Sequence, residues 1–192
     1  MSKMIQHILI VLCVVGTGCS NDSPTQSTSD LGTNKPTCQM DGGQRLCATS
    51  SFLPANGKVE DFKKESDDQI ATNSCELQAL IDGGAEKYEK HKFQCMTLAK
   101  YASAAKTIKI TVWLFDQTDP SAAGAAYEEI GTADNTATAP SIGDASEENL
   151  KLPFDYLANM RKGKYLARVF VDKKEGQKEG IQLLQEIATA IP

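Results

Sequence analysis

The stretch TIKITVWLF, residues Thr107–Phe115, carries the clearest structural pattern in the chain. Apolar side chains recur at every second position, while Lys109, Thr111 and Trp113 fall between them. This period of two predicts a β-strand with one buried face. The predicted buried face consists of Ile108, Ile110, Val112 and Leu114.

The segments around this strand predict further strands of a sheet. Phe93–Tyr101 (FQCMTLAKY) is predicted as the preceding strand, and Leu157–Val171 as a hairpin with Lys162-Gly163 at its turn. Phe52–Asp68 is polar and rich in turn-forming residues, and we predict one short strand within it.

Two helices are predicted after the central strand. One begins at Asp119-Pro120, continues through SAAGAAYEEI and ends at Gly131. The other is an amphipathic helix over Gly180–Ile191, and Thr132–Asn149 is predicted as a loop because it is small and polar. Together these elements predict a single α+β domain over residues 38–192, with a mostly antiparallel sheet packed against helices on one side. The apolar stripe of the last helix consists of Ile181, Leu184, Ile187, Ala188 and Ile191.

The segment LIDGGAEKY, residues Leu80–Tyr88, places two glycines between helix-forming residues. We predict a continuous helix from Cys75 to about Lys90, capped by Asn73 or Ser74. In such a helix Gly84 lies in the buried stripe and Gly83 faces solvent. The alternative is a turn with positive φ at Asp82–Glu86. The predicted stripe consists of Leu77, Leu80, Ile81, Gly84 and Tyr88.

The N-terminus predicts export and lipidation. Residues 1–18 combine a short basic start with an apolar run that is too short to span a bilayer, and small residues lead to Cys19. This arrangement resembles a bacterial lipoprotein signal, which predicts lipidation of Cys19 and a flexible tether over residues 19–37. The alternative is an ordinary signal peptide that is cut elsewhere. Ser20 follows the cysteine, which resembles the outer-membrane sorting pattern of Gram-negative bacteria. The predicted location is therefore the outer membrane, with the domain facing the periplasm or the cell surface.

The charge of the chain argues against nucleic-acid binding. Removal of residues 1–18 takes away one lysine and no acidic residue, so the formal net charge of −5 becomes −6. A negative surface repels phosphate backbones. The predicted partners are therefore the membrane, through the N-terminal lipid, and another envelope protein.

Four cysteines remain after Cys13 and the lipidated Cys19 are set aside. An even number in an exported chain predicts two disulfides. The sequence favours Cys38–Cys47, because Gly42-Gly43 between them makes a turn easy, and Cys75–Cys95 then follows by elimination. A continuous helix after Cys75 would hold the second pair too far apart, so the connectivity stays open.

Several segments, in this order, resemble an uncharacterised bacterial family of exported and lipid-anchored domains of unknown function. LIDGGAEKY (80–88) is followed by Phe93 with QCMTLAKY, then by IKITVWLFD (108–116) and DPSAAGAAY (119–127). IGD (142–144) and RKGKYLARV (161–169) resemble the closing hairpin of that family. The resemblance spans Leu53 to Pro192 and implies a shared fold, but no activity, cofactor or catalytic residues.

Few residues are candidates for catalysis. His91 is the sole histidine after the signal and lies in a charged helix end, where it would favour the negative helix terminus. Asp82 and Glu86 lie one helical turn apart and form the best carboxylate pair for general acid–base chemistry, although a solvated helix face explains them as well. No metal site and no cofactor is predicted.

The remaining polar and aromatic features have simple structural interpretations. Asp67-Asp68 and Glu147-Glu148 are interpreted as charge runs without the spacing of a calcium loop. Trp113 and Tyr127 are interpreted as core residues in preference to the lining of a groove. The favoured hypothesis is a lipid-anchored, non-enzymatic envelope protein that binds a partner through its sheet or its glycine-containing helix. The second hypothesis is a small periplasmic hydrolase that uses Asp82 and Glu86.

Overall fold

The computed structural model describes residues 46–81, 83–131 and 141–192, together with the backbone of 137–138. These residues contain eight strands and four α-helices. The strands are β1 (Phe62–Lys64), β2 (Gln69–Ala71), β3 (Phe93–Ser103), β4 (Ile108–Gln117), β5 (Ala137–Thr138), β6 (Ala145–Asn149), β7 (Tyr156–Lys162) and β8 (Tyr165–Val171). The helices are α1 (Ser74–Leu80), α2 (Ala85–Glu89), α3 (Pro120–Ile130) and α4 (Gln177–Ala190).

All eight strands belong to one antiparallel sheet. Its order is β1-β3-β4-β8-β7-β6-β5. The remaining strand, β2, also pairs with β3, at residues 96–98, whereas β1 pairs with residues 101–103. The long strands β3 and β4 pair over almost their whole length, and β4 continues the sheet to β8. The predicted α+β domain with an antiparallel sheet is confirmed, and so are the two predicted strands and the hairpin.

Helices cover both faces of this sheet, whereas the sequence prediction placed them on one side. Even-numbered residues of β4 from Ile108 to Leu114 pack with α4 on the first face. Phe115 packs with α1, α2 and α3 on the second face. The sequence pattern did not reveal this because the second face is apolar only at one end of the strands.

Both long helices lie close to their predicted positions. Asp119 caps α3 by accepting a hydrogen bond from the backbone N–H of Ala122 at 2.8 Å, and Gly131 follows the last turn. The second helix, α4, begins at Gln177, three residues before the predicted start. The predicted loop over Thr132–Asn149 is wrong at its end, because residues 145–149 form β6.

The predicted disulfide pairs are both wrong, because Cys47 is bonded to Cys95. Residues 49–52 form a short 3₁₀ turn against the first face, where the hydroxyls of Thr49 and Thr97 share a hydrogen bond of 2.6 Å. This contact brings Cys47 beside the start of β3, with a Cα–Cα distance of 5.8 Å. Cys75 is also disulfide-bonded. The fourth candidate, Cys38, lies outside the described residues, as do Cys19 and the tether over 19–37.

The predicted continuous helix is interrupted between α1 and α2. Asn73 caps α1 as predicted, accepting the N–H of Glu76 at 3.0 Å, and Ile81 follows the helix in an extended conformation. Gly83 then adopts a φ of +70°, and Gly84 caps α2 with a φ of −167°. The segment is therefore a turn, and a Cβ added at Gly84 would meet open space rather than the sheet.

Replacing Gly83 by alanine is expected to lower the free energy of unfolding by about 1–2 kcal/mol, since an L side chain is disfavoured at this φ. A Cβ at Gly83 meets no atom within 4 Å, so backbone strain is the whole effect. Gly84→Ala is the matched control and should be close to neutral, because its extended φ suits any residue. Urea denaturation of both variants measures the difference, and equal stability of the two would contradict the turn.

Candidate binding surface

A polar row crosses the second face of the sheet through four neighbouring strands. The register pairs Trp113 of β4 with Arg168 of β8, Arg168 with Asn159 of β7, and Asn159 with Glu147 of β6. Side chains of paired residues share one face of the sheet. Residues from four strands therefore form one continuous line of side chains, although its ends in the sequence, Trp113 and Arg168, are more than fifty positions apart.

Hydrogen bonds hold this row in a single arrangement. The Asn159 amide donates from Nδ2 to Glu147 Oε1 at 2.7 Å and accepts at Oδ1 from Arg168 Nε at 3.0 Å. Arg168 Nη1 also donates to the hydroxyl of Tyr88 at 3.2 Å. Asn159 and Glu147 are buried, whereas Arg168 is half-buried. The guanidinium of Arg168 is thus oriented by the Asn159 amide and the Tyr88 hydroxyl, and the residue as a whole is half-buried.

One aromatic ring lies against Arg168, and a second ring packs on the first. Its guanidinium lies 5.4 Å from the ring centroid of Phe170, and that ring lies 4.6 Å from the ring of Trp113. On the helix side, Tyr88 stacks on Phe115 with centroids 3.9 Å apart. Burial raises the pKa of Tyr88, and the positive charge of Arg168 opposes that shift. Tyr88 is therefore a neutral hydrogen-bonding partner of Arg168 at physiological pH.

The helices cover only one end of this face. Met96, Phe115 and Leu166 are fully buried beneath α1, α2 and α3. Further along the strands, among the described residues, side chains become half-buried at Thr111 and Phe170. We call this region the open face, and it consists of Lys63, Lys100, Lys109, Thr111, Trp113, Arg168 and Phe170.

Trp113 differs from its predicted role as a core residue. It is half-buried and packs against the core cluster beneath α1, α2 and α3 instead of lying within it. Its indole Nε1 is buried and donates no hydrogen bond to a described residue. Tyr127, on α3, is half-buried in the same cluster, and burial and nearby Glu147 raise its pKa.

The predicted carboxylate pair is only partly described. Glu86 is exposed in the first turn of α2, and Asp82 lies outside the described residues. His91, at the end of α2, contacts a carboxylate: its Nε2 lies 2.6 Å from Oε2 of Glu129 on α3, and Lys90 Nζ donates to the same oxygen at 3.0 Å. These two contacts lower the pKa of Glu129. His91 therefore links two helices through Glu129.

The charge run Glu147-Glu148 is part of the sheet. The two residues lie on β6 with side chains on opposite faces, and both are buried. Glu148 Oε2 accepts from the hydroxyl of Tyr156 at 2.8 Å and from Gln177 Nε2 at 3.0 Å. In the other run, Asp68 is paired with Lys64 at 2.7 Å.

Arg168 and Asn159 were missed by the sequence analysis. The available signal was a polar residue within an otherwise apolar strand, as in YLANMRK and YLARVFV. Such a residue is unfavourable in a core unless it is hydrogen-bonded. Sequence alone does not reveal the cross-strand register that brings the two residues together.

The described residues contain neither a membrane-spanning helix nor a metal-binding cluster. No helix in that part of the chain has the length and apolar character needed to span a membrane. No group of three or more histidine, cysteine or acidic side chains there has an arrangement suited to a metal ion.

No family model and no curated protein matches the chain. Among solved structures, the chain is similar to the extracellular domain of PknH from Mycobacterium tuberculosis, with a TM-score of 0.48 and 10% sequence identity. The match covers 77% of this chain and 97% of that domain. A likeness at this level indicates no function, so the function rests on the geometry of the chain's own residues.

Proposed function

We propose that this chain is a lipid-anchored, non-enzymatic binding module of a bacterial cell envelope, and that it binds a protein partner on the open face. Cys19 after the apolar N-terminal run supports the anchor. The Cys47–Cys95 disulfide supports an oxidising compartment. The ordered motifs from LIDGGAEKY to RKGKYLARV support membership in the uncharacterised exported family that they resemble.

One observation carries the binding proposal. Asn159 and Tyr88 orient Arg168 against the ring of Phe170, which packs on Trp113, on a part of the sheet that the described helices leave open. Tryptophan and arginine dominate the energetics of protein interfaces because they combine large contact area with directed hydrogen bonding. Pre-orientation of the guanidinium reduces the entropy that a complex must lose. The open face therefore has the composition and the rigidity of an interface.

Site-specific photocrosslinking in the native envelope tests this proposal. A photoreactive phenylalanine analogue at Thr111 should crosslink one reproducible protein, and the same analogue at the exposed Gln185 on α4 should not. Phe170→Ala should then weaken binding of that purified protein by about tenfold or more, as expected for an aromatic interface residue. Equal crosslinking from Thr111 and Gln185, or unchanged affinity of Phe170→Ala, would refute the open face as the binding surface.

We expect Cys19→Ala to abolish incorporation of a metabolically supplied fatty acid, because the thiol is the proposed attachment site. The wild-type chain should carry the label and fractionate with membranes. Cys13→Ala is the matched control and should retain the label, since Cys13 lies within the proposed signal peptide. Fatty-acid label in the Cys19→Ala variant would refute the lipoprotein proposal. The proposal that the open face binds a partner would be unaffected.

A further inference from the structure

Cations that form no ion pair within the described residues lie along the open face. The hydrogen bonds of Arg168 to described residues go to neutral groups, the Asn159 amide and the Tyr88 hydroxyl, and Glu147 binds the other end of that amide. Lys100 and Lys63 are exposed and make no ion pair with a described residue. The chain as a whole has a formal net charge of −5, so this run of unpaired positive charge is opposite in sign to the rest of the protein.

Two acidic residues at the same end of the face are already engaged. Glu65 Oε1 lies 3.1 Å from Lys109 Nζ, and Asp172 Oδ1 accepts the backbone N–H of Lys109 at 2.8 Å. Neither carboxylate reaches Arg168, Lys100 or Lys63 in the described contacts. The unpaired cations therefore remain available to an external anion.

The cations lie in successive rows of the sheet. Arg168 pairs with Trp113, Lys100 pairs with Thr111 in the next row, and Lys63 and Lys109 both pair with Ala102 in the third. Rows on one face repeat about every 6.8 Å, which is also the spacing of alternate side chains in an extended peptide. The cations also lie on different strands, β8, β3 and β1, so they step diagonally across the sheet, and Arg168 and Lys63 are about 20 Å apart. An extended segment of about seven residues that runs diagonally would span them.

The open face lies lower than the helix layer beside it. A helix packed on a sheet rises roughly 10 Å above it, and α1, α2 and α3 cover the adjoining rows. A flat lipid surface that rests on the helices would not reach the side chains on the sheet. A single extended chain fits beside the helices.

The third row opens into a hollow. An open depression of about 660 Å³ lies at the β3–β4 turn. Its charged lining includes Lys63, Lys109, Asp61 and Glu65, and its apolar lining includes Ala102, Ala104 and Ala105. Short apolar side chains leave room there for a larger side chain from a partner. The hollow therefore offers an apolar contact at the end of the row of cations.

We propose that the open face receives an extended acidic segment of the protein partner, with carboxylates facing Arg168, Lys100 and Lys63 and an apolar side chain in the hollow. This inference rests on the proposed function and adds the chemistry of the ligand. Arg168 binds a carboxylate through its remaining N–H groups, and Phe170 and Trp113 contact the aliphatic part of the segment. Complementary charge also accelerates the encounter at low salt.

Fluorescence anisotropy with short synthetic peptides tests the inference on the full chain in mild detergent. The probe alternates glutamate and leucine, and the matched peptides carry glutamine or lysine in place of glutamate. The glutamate peptide should bind, weaken as salt rises, and lose about five- to tenfold in affinity with Lys100→Glu. Lys178→Glu on α4 makes the same charge change on the other face of the sheet and should alter affinity by less than about twofold.

The outcomes distinguish this inference from the proposed function. Equal binding of the glutamine peptide, or equal loss with Lys178→Glu, would refute recognition by charge. No binding of any peptide, together with a protein crosslinked from Thr111, would refute the acidic segment and leave the binding surface standing. Binding to phosphatidylglycerol vesicles that Lys100→Glu abolishes, without peptide binding, would replace the peptide with a lipid surface. Arg168→Gln, checked for an unchanged unfolding curve, should weaken the glutamate peptide at least as much as Lys100→Glu.

Discussion

Replacing Cys47 and Cys95 together by alanine is expected to lower the free energy of unfolding by about 4 kcal/mol, because the bond closes a loop with a sequence separation of 48 and restricts the unfolded chain. The bond also anchors the 3₁₀ turn over Thr49–Phe52 to β3. Without it, the contact between Phe52 and Tyr165, whose rings are 5.1 Å apart, loses its covalent support. Urea denaturation under non-reducing conditions measures the change.

Non-reducing digestion and mass spectrometry supply the control for this pairing. The fragment that contains Cys47 should be linked to the fragment that contains Cys95. Recovery of Cys47 linked to Cys38 would contradict the structure and restore the local pair that the sequence favours. A double variant as stable as wild type would show that the bond adds nothing to the fold, contrary to the loop-closure argument.

Loss of this bond should leave the open face intact at temperatures where the variant is folded. Cys47 and Thr49 lie against the first face, whereas Arg168 and Trp113 lie on the second. Peptide affinity of the folded double variant is therefore a useful internal check. It separates loss of stability from loss of binding.

The regular elements of this fold were predictable because each has a local signal. The period of two in β4 and the cap at Asp119 depend on residues within one turn or one strand. The break at Gly83 was considered only as the alternative, because good helix formers lie on either side of residues 82–84. A glycine in a helix interior and one at positive φ look alike in sequence, and only the conformation separates them.

The candidate site was harder to predict, since its signals are spread along the chain. Glu147, Asn159 and Arg168 come from three strands, and Tyr88 comes from a helix that precedes them all. Trp113 was noticed for its aromatic side chain but was assigned to the core. The Cys47–Cys95 disulfide was hard to predict for the same reason, because the fold brings together residues that are distant in sequence.

The IGD segment shows how a short motif can have a purely structural role. Ile142 is buried in the first-face core, and Asp144 accepts the backbone N–H of Gly163 at 2.8 Å. The backbone N–H of Asp144 donates to the carbonyl of Arg161, also at 2.8 Å. Residues 142–144 therefore attach to the β7–β8 hairpin beside its turn, and Gly143 lies where the two backbones come closest.

Gly143→Ala is expected to lower the free energy of unfolding by about 2–5 kcal/mol, because strain and steric overlap act at the same atom. Gly143 has a φ of +68°, and an added Cβ would lie 2.5 Å from the carbonyl oxygen of Arg161 and 3.0 Å from Met160 Cγ. The flexible Met160 side chain can move, but the carbonyl belongs to β7 and cannot shift without disturbing its hydrogen bond to Asp144. Thermal or urea unfolding measures the loss.

Gly163→Ala separates the two contributions. Gly163 also has a positive φ, +55°, but an added Cβ there meets no atom within 4 Å. Its replacement should cost about 1–2 kcal/mol from backbone strain alone. The excess loss in Gly143→Ala then measures the close approach of residues 142–144 to β7. Equal losses in the two variants would mean that the backbones are further apart than the structure places them, and that the IGD segment attaches to the hairpin through Asp144 alone.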